Sequence, residues 1–423
     1  MLVRFFVTLI AFQKVVGGIV LQESRFFAKI KNRNFLGGKM LSSRMENLHP
    51  YVPGEQPRDR EYIKLNANEN PYPPSPAALE RAIEWIKSSP QSLALYADPD
   101  SLSLREKIAA MLNATGGVLS RAQISGEKVS PCECDEIGFE ITSEMIYAGN
   151  GSDEVLSFLF YAFFDSAEKL ISPEFSYSFY PVYCGFHSIQ MEKVPLLKDW
   201  QIYVEEMISR AKKFHAPTIL ANPNAPTSLC LSRAQVRRML EECPRDRAFV
   251  VDEAYVDFGG ESCLPLLRDF ENLVIVRTFS KSLCAAGMRL GYLVANPKMV
   301  NAVLTVKNSV NHFPIDAFAQ AFGSAVCEDA PYYAECAKKI VSQRDDFSEF
   351  LRARGFFVLP SSTNFIFAKK DGRSGKAMYE ALKKEGILVR RFDTEGIEEF
   401  LRITVGTEAQ MSDLKRAMEK LDF

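Results

Sequence analysis

The sequence predicts an α/β fold, a mostly parallel sheet covered by helices and followed by a smaller α+β part. Three observations carry that prediction. Between residues 145 and 295, short apolar runs alternate with amphipathic stretches, the βαβ rhythm of a parallel sheet buried on both faces. After residue 297 the rhythm changes to long helical stretches up to about residue 354, then to four short strands and a last helix. The chain of 423 residues, 47% hydrophobic and 25% charged, is long enough for a large core in more than one part.

The chain opens on an unusual stretch. Residues 1–44 carry eight Lys or Arg and one acid, Glu23. The apolar run 5–12 is bracketed by Arg4 and Lys14 and is too short to span a bilayer. No small-residue cleavage site marks a signal peptide. A basic, acid-poor leader fits an organelle transit peptide. The preferred reading is an upstream translation start, with the real one at Met40 or Met45, because clear fold content begins near Leu48.

Ser75-Pro76 then predicts a helix start, Ser as cap and Pro in the first turn, with Leu79, Ile83 and Ile86 at helical spacing. A second helix carries Leu104, Ile108 and Met111. Residues 118–140 read as a surface insertion holding Cys132 and Cys134, a lone C-x-C without the second pair or histidine of a zinc site. Strands are predicted at 145–148, 169–172, 218–222, 248–252, 273–277 and 292–295, with helices at 204–214 and 233–243 between them. The second of these opens on a Ser232-x-x-Gln235 capping box. In the last part, strands are predicted at 356–359, 364–368, 387–390 and 401–405, and a helix from Thr407.

Composition excludes some functions. A net charge of −2 argues against nucleic acid as the main partner. Nine scattered cysteines, an odd number without a spacing framework, suggest reduced thiols in a cytosolic-type compartment.

In open α/β sheets ligands sit beyond the carboxyl ends of the strands, so polar residues there carry the chemistry. "GNGSDE" (149–154) follows a strand with a glycine turn and a helix start, whose free N–H groups and dipole suit an anion. Asp252 ends the apolar run of "FVVDEAYVDF", where a carboxylate is costly unless it pairs, and Tyr255 lies three residues on. Lys281 follows the Val-Ile-Val run in "VRTFSKSLCAAGMRLGY", with Ser280 before it and Arg289 eight residues later. A partly desolvated lysine near a fixed cation is nucleophilic and condenses with aldehydes. Ser280 and Arg289 suit a phosphate monoester. An aldehyde, a cationic pyridine nitrogen and a phosphate on one ligand describe pyridoxal phosphate.

On these motifs, and on "LNANENPYPPSP" (65–76), "YADPDSLSLREKIA" (96–109), "SPEFSYSFYPVY" (172–183), "NPNAPT" (222–227) and "LRITVGT" (401–407), the chain resembles the fold-type I pyridoxal-phosphate enzymes from about residue 46 to the end. Within them it looks most like the histidinol-phosphate aminotransferases. The resemblance implies a large domain with a mostly parallel seven-stranded sheet plus a smaller α+β domain. The division would be an extension (1–44), an arm joining the small domain (45–75), a large cofactor-binding domain (76–300) and a small C-terminal domain (301–423). It also implies roles. Lys281 would hold the cofactor and shuttle the proton. Asp252 would pair with the ring nitrogen, Tyr255 would bond the ring oxygen and Tyr177 would stack on the ring. Ser152, Asp153, Ser280 and Arg289 would hold the phosphate. Tyr96 would reach the neighbouring subunit's cofactor phosphate, making the active form a homodimer. Arg402 would grip the α-carboxylate of the glutamate half-reaction, and Arg390 and Tyr51 the phosphorylated end of the substrate.

One position departs from the pattern. Where the family has an asparagine before Pro-Thr-Gly, this chain has Ala225, with Ser228 in place of the glycine. Asn224, one residue earlier, is the expected substitute for the ring-oxygen contact, with Tyr255 acting alone as the alternative. The implied reaction is transamination of L-histidinol phosphate with 2-oxoglutarate, giving imidazole-acetol phosphate and L-glutamate for histidine biosynthesis in the cytoplasm. Aromatic amino acids, or L-threonine phosphate with decarboxylation, are the alternatives in the same fold. A cofactor-binding transcription regulator is a third class, but residues 1–44 are too short for a helix-turn-helix module.

Overall fold

Alternate residues of the central strands face two different cores. Ile146, Ile171, Leu220, Val251 and Ile275 belong to one, Tyr147, Leu170, Ile219, Val250 and Val274 to the other. That double burial is why these strands read as continuous apolar runs. The structure, a computed structural model, describes residues 42–423 apart from 43, 46, 47, 52, 120–136 and 167. The expectations for residues 1–41, and for Cys132 and Cys134, lie outside the described residues. Of the unit Met1–Leu48 the described residues show one turn, closed by Met45 N–H donating to Ser42 O (3.0 Å). The rest concerns the compact unit His49–Phe423.

Among the described residues of this unit there are thirteen strands: β1 (Ile63–Lys64), β2 (Ile146–Asn150), β3 (Lys169–Pro173), β4 (Gln190–Val194), β5 (Thr218–Ala221), β6 (Phe249–Asp252), β7 (Leu273–Thr278), β8 (Leu290–Ala295), β9 (Phe356–Val358), β10 (Phe365–Lys370), β11 (Ile387–Leu388), β12 (Arg390–Arg391) and β13 (Leu401–Thr404). The helices of eight or more residues are α1 (Pro76–Ser88), α2 (Leu102–Thr115), α3 (Gly151–Phe163), α4 (Tyr180–His187), α5 (Val204–Phe214), α6 (Arg233–Glu242), α7 (Pro297–Val310), α8 (Ala317–Cys327), α9 (Ala330–Ala353), α10 (Gly375–Lys384) and α11 (Glu408–Lys420).

The seven-stranded sheet has the order β2-β8-β7-β6-β5-β3-β4. Only β8 runs against the others, pairing antiparallel with both β2 and β7. Helices α1, α2, α5 and α6 share the first core, and α3, α4 and α7 the second. The predicted capping box at α6 is formed: Gln235 N–H donates to Ser232 Oγ (3.3 Å) and Ser232 N–H to Gln235 Oε1 (2.9 Å). Ser75 caps α1, accepting from Ala78 N–H at 3.0 Å. A second, antiparallel sheet, β12-β13-β10-β9, packs against the long helix α9, and β1 pairs with β11.

Three expectations change. The strand predicted at 387–390 divides, β11 pairing with β1 and β12 with β13, so one run serves two sheets. Edge strand β4 was not foreseen, because Gln-Met-Glu-Lys-Val carries charge on its open side. The stripe Leu79, Ile83 and Ile86 is 40%, 52% and 37% exposed, and α1 buries Ala78 and Ala82 instead.

One buried ion pair joins the ends of β6 and β7. Glu253, fully buried, accepts from Arg277 Nη2 (2.6 Å), Ser262 Oγ (3.0 Å) and Cys263 N–H (2.6 Å). Removing one partner strands the other in the core. Arg277→Met is expected to lower unfolding free energy by about 3–5 kcal/mol, read from urea denaturation against wild type.

Candidate active site

Strands β5, β6 and β7 run parallel and end side by side at Ala221, Asp252 and Thr278. Because β8 runs the other way, it begins where they end, and Arg289 just before it falls on the same edge. A cavity of about 320 Å³ opens there, bounded by Ser152, Tyr177, Asp252, Tyr255, Lys281 and Arg289 among others.

Asp252 is buried. It accepts from Tyr180 Oη (2.9 Å) and from Ala254 N–H (3.2 Å). Burial nonetheless pushes its carboxyl up to about 6. Such a group wants a cation beside it. Lys281 supplies an amine on the same cavity. Burial, aided by the Arg402 guanidinium, pushes it down to about 8. Its Nζ lies 3.4 Å from Ala67 O and 5.9 Å from the centre of the Tyr255 ring. Tyr177 borders the same space, and its hydroxyl donates to Asp153 Oδ1 (3.1 Å).

The far end of the cavity is built for an anion. Helix α3 starts at Gly151, whose φ is +77°. A Cβ there would stand 2.6 Å from Arg289 Nη2, so only glycine lets the guanidinium approach the helix start. Gly291, opposite Gly149, lets the backbone of the helix start lie against β8: a Cβ on it would collide with Ser152 N. Arg289 donates to Asp153 Oδ2 (2.9 Å), and Thr278 and Ser280 border the space. The first-turn N–H groups of a helix have no partner within it, so this end presents donors and a positive dipole.

A second cavity of about 190 Å³ adjoins the first, and Ala67, Tyr177, Ala225, Tyr255 and Lys281 border both. Its walls add Tyr51, Asn66, Arg390 and Arg402. Arg390 and Arg402 stand opposite each other on β12 and β13. Among the described residues no carboxylate pairs with Arg402. Its Nη2 meets Asn66 O at 3.3 Å, and its buried Nε has no partner. Burial, with Arg390 close by, lowers its proton affinity.

The structure thus gathers Lys281, Asp252, Tyr255, Tyr177, Ser152, Asp153, Ser280 and Arg289 at one cavity and Arg402, Arg390 and Tyr51 at its neighbour. Asn224 spends its amide on Phe175 O (2.9 Å) and Thr227 Oγ1 (2.9 Å), so it does not donate into the cavity as the substitute for the missing asparagine. Tyr96, expected at a neighbouring subunit's site and not at its own, is 84% exposed and stacked on Phe313 at 4.5 Å. The sequence reading assigned no role to Tyr180, Thr278, Asn66 or Asn68. All four sat in quoted motifs, but nothing in their spacing says which neighbour each touches.

The profile of the aminotransferase class I and II family matches residues 60–421. A histidinol-phosphate aminotransferase of Syntrophus aciditrophicus is 43% identical over 389 residues, 92% of this chain and 99% of that one. Another, from Bradyrhizobium diazoefficiens, is 41% identical over 377 residues, covering 89% and 97%. Among solved structures, the histidinol-phosphate aminotransferase of Sinorhizobium meliloti in complex with pyridoxal-5'-phosphate covers 91% of this chain and 98% of its own, with a TM-score of 0.76 at 22% identity. A mutant of Thermus thermophilus aspartate aminotransferase gives 0.73 at 19%, covering 91% and 99%. At these identities the two structures establish the fold alone.

The neutral form of Lys281 is the nucleophile, so its capture of an aldehyde rises with pH through about 8. Treating the protein with an aromatic aldehyde and borohydride at stepped pH should label Lys281 along that curve, read by peptide mass. Ordinary lysines, whose pKa lies near 10.4, should lag well behind.

Proposed function

Since the chain belongs to the aminotransferase class I and II family, we propose that it transfers the amino group of L-histidinol phosphate to 2-oxoglutarate, using pyridoxal phosphate. The products are imidazole-acetol phosphate and L-glutamate, and the step belongs to histidine biosynthesis. The observation that carries the reading is the junction of the two cavities, where a desolvated lysine amine stands between a buried carboxylate and an anion cradle on one side and two arginines on the other.

The residues present fit the cofactor. Asp252, whose burial calls for a cationic neighbour, suits the ring nitrogen. Tyr255 suits the ring oxygen, Tyr177 the ring face, and the α3 start with Ser280 and Arg289 the phosphate. When bound, pyridoxal phosphate supplies an electron sink for the breaking bond at the substrate carbon. The chain's own groups do the rest. Lys281 Nζ would hold the cofactor's aldehyde carbon and, as a free amine, would take and return the substrate's proton. Asp252 would keep the ring nitrogen protonated. Tyr177 and the phosphate cradle fix the plane against which the bond must stand upright. Arg402 takes the carboxylate of glutamate or 2-oxoglutarate in a fork, and Arg390 with Tyr51 takes the phosphorylated end of the other substrate. In this reading residues 76–300 are the cofactor-binding domain, 45–75 the arm and 301–423 the small domain.

We also read the active form as a homodimer. Tyr96 is turned outward, and Leu79, Ile83, Leu93 and Leu95 are exposed on the same stretch of chain. Such a surface asks for a partner. The cytoplasm is the proposed location. Among the described residues no helix is long and apolar enough to cross a membrane.

Products identified by mass spectrometry with L-histidinol phosphate, aromatic amino acids and L-threonine phosphate decide the substrate. A keto product from the first, much faster than from the others, is expected; carbon dioxide from L-threonine phosphate alone would overturn the assignment. Lys281→Ala should lower kcat by roughly 100- to 10,000-fold. Arg402→Lys should raise KM for 2-oxoglutarate by roughly ten- to a hundredfold while L-histidinol phosphate is less affected. Shared sites predict that mixing inactive Lys281→Ala with Tyr96→Ala restores activity, because one hybrid site then holds both native residues.

A further inference from the structure

The segment 65–70 touches Arg402, Lys281 and Tyr255. Asn66 O meets Arg402 Nη2 (3.3 Å), Ala67 O meets Lys281 Nζ (3.4 Å), and Asn70 Nδ2 donates to Lys281 O (2.8 Å). Asn68, between them, is buried and left-handed at φ 54°. Its backbone N–H donates to Thr404 Oγ1 (3.0 Å), and the Thr404 hydroxyl donates back to Asn68 Oδ1 (3.2 Å). Asn364 Nδ2 donates to Asn68 O (3.0 Å). With its oxygen on the Thr404 hydroxyl, the amide turns its nitrogen to Tyr255, and Asn68 Nδ2 donates to Tyr255 Oη at 2.9 Å.

A phenol oxygen that accepts from an amide turns its own hydrogen elsewhere. Tyr255 borders both cavities. Burial keeps the phenol protonated. Nearby, the Ala225 side chain has no donor, and Asn224 spends its side-chain amide hydrogens on Phe175 and Thr227. We propose that Asn68 is a positioning residue for the reaction: clamped by Thr404, it sets the rotation of the Tyr255 hydroxyl so that its hydrogen is delivered to the ring oxygen of the bound cofactor. This rests on the function proposed above. Thr404 lies two residues from Arg402 on β13, so the clamp also ties the donor to the strand that holds the substrate's acid group.

A donor at the ring oxygen stabilises negative charge there and loosens its hold on the proton shared with the Lys281 nitrogen. The charges facing Tyr255 are Arg402 and Asp252; those facing Lys281 are Arg402, Glu69, Asp153 and Arg289. None of them changes when Asn68 or Thr404 is replaced. The test is a pH titration of the visible absorption of protein loaded with pyridoxal phosphate, without substrate. Asn68→Ala should move the midpoint up by roughly half to one unit. Tyr255→Phe should move it the same way, and the double variant no further than Tyr255→Phe alone. Thr404→Val, which frees the amide to turn over, should give a smaller upward shift and serves if Asn68→Ala does not fold. An unmoved midpoint in the Asn68 and Thr404 variants, with Tyr255→Phe shifted, overturns the positioning role and leaves the proposed function standing. A wild-type protein that takes up no cofactor overturns both.

Discussion

A carboxylate at the end of a buried strand is the constraint from which the site follows. Asp252 has lost its water, and two hydrogen bonds do not restore what was lost. A compensating cation must therefore come from a ligand or from a neighbouring side chain. The sheet order supplies the surroundings. Strands β5 and β7 flank β6, β5 ending level with it and β7 running two residues further to Thr278, and the reversed β8 returns Arg289 to the same edge. Charge, cavity and anion cradle are consequences of where four strands stop.

The second constraint is the bridging segment 65–70. It is short and irregular, yet it contacts Lys281, Tyr255, Arg402 and Thr404 through backbone carbonyls and asparagine amides. The Lys281 amine lies against the Ala67 carbonyl, while burial and the Arg402 guanidinium keep its proton affinity low. At Tyr255, asparagine donates a hydrogen bond where an acidic side chain would draw the hydroxyl proton back.

Much of this was legible in the sequence. The alternation of apolar runs and amphipathic helices placed β3, β5, β6, β7 and β8 within a few residues, because strands buried on both faces leave a continuous apolar signal. Lys281, Asp252 and Arg289 were legible because charge at the end of such a run is costly and needs a reason. Side-chain direction was not legible. Asn224 stood next to the altered Ala225, and only the fold shows its amide turned to Phe175 and Thr227. The stripe of α1 had helical spacing but no mark of which side was inward. Ala78 and Ala82 take the inner face because α8 packs close against α1, leaving the larger residues outside. The clamp at Asn68 joins residues 336 apart in sequence, a relation that no local pattern encodes.

The antiparallel return of β8 has a further consequence. Thr278 pairs with Gly291, and Phe279 N–H donates to Leu290 O at 3.0 Å, so the stretch carrying Lys281 and Arg289 is closed at its base. The amine and the guanidinium are two marks on one short ruler. Its length sets how large a molecule can be grasped at both ends, and a single inserted or deleted residue would recalibrate it. Variation among descendants of this chain should therefore be freer to change the letters between Lys281 and Arg289 than their number.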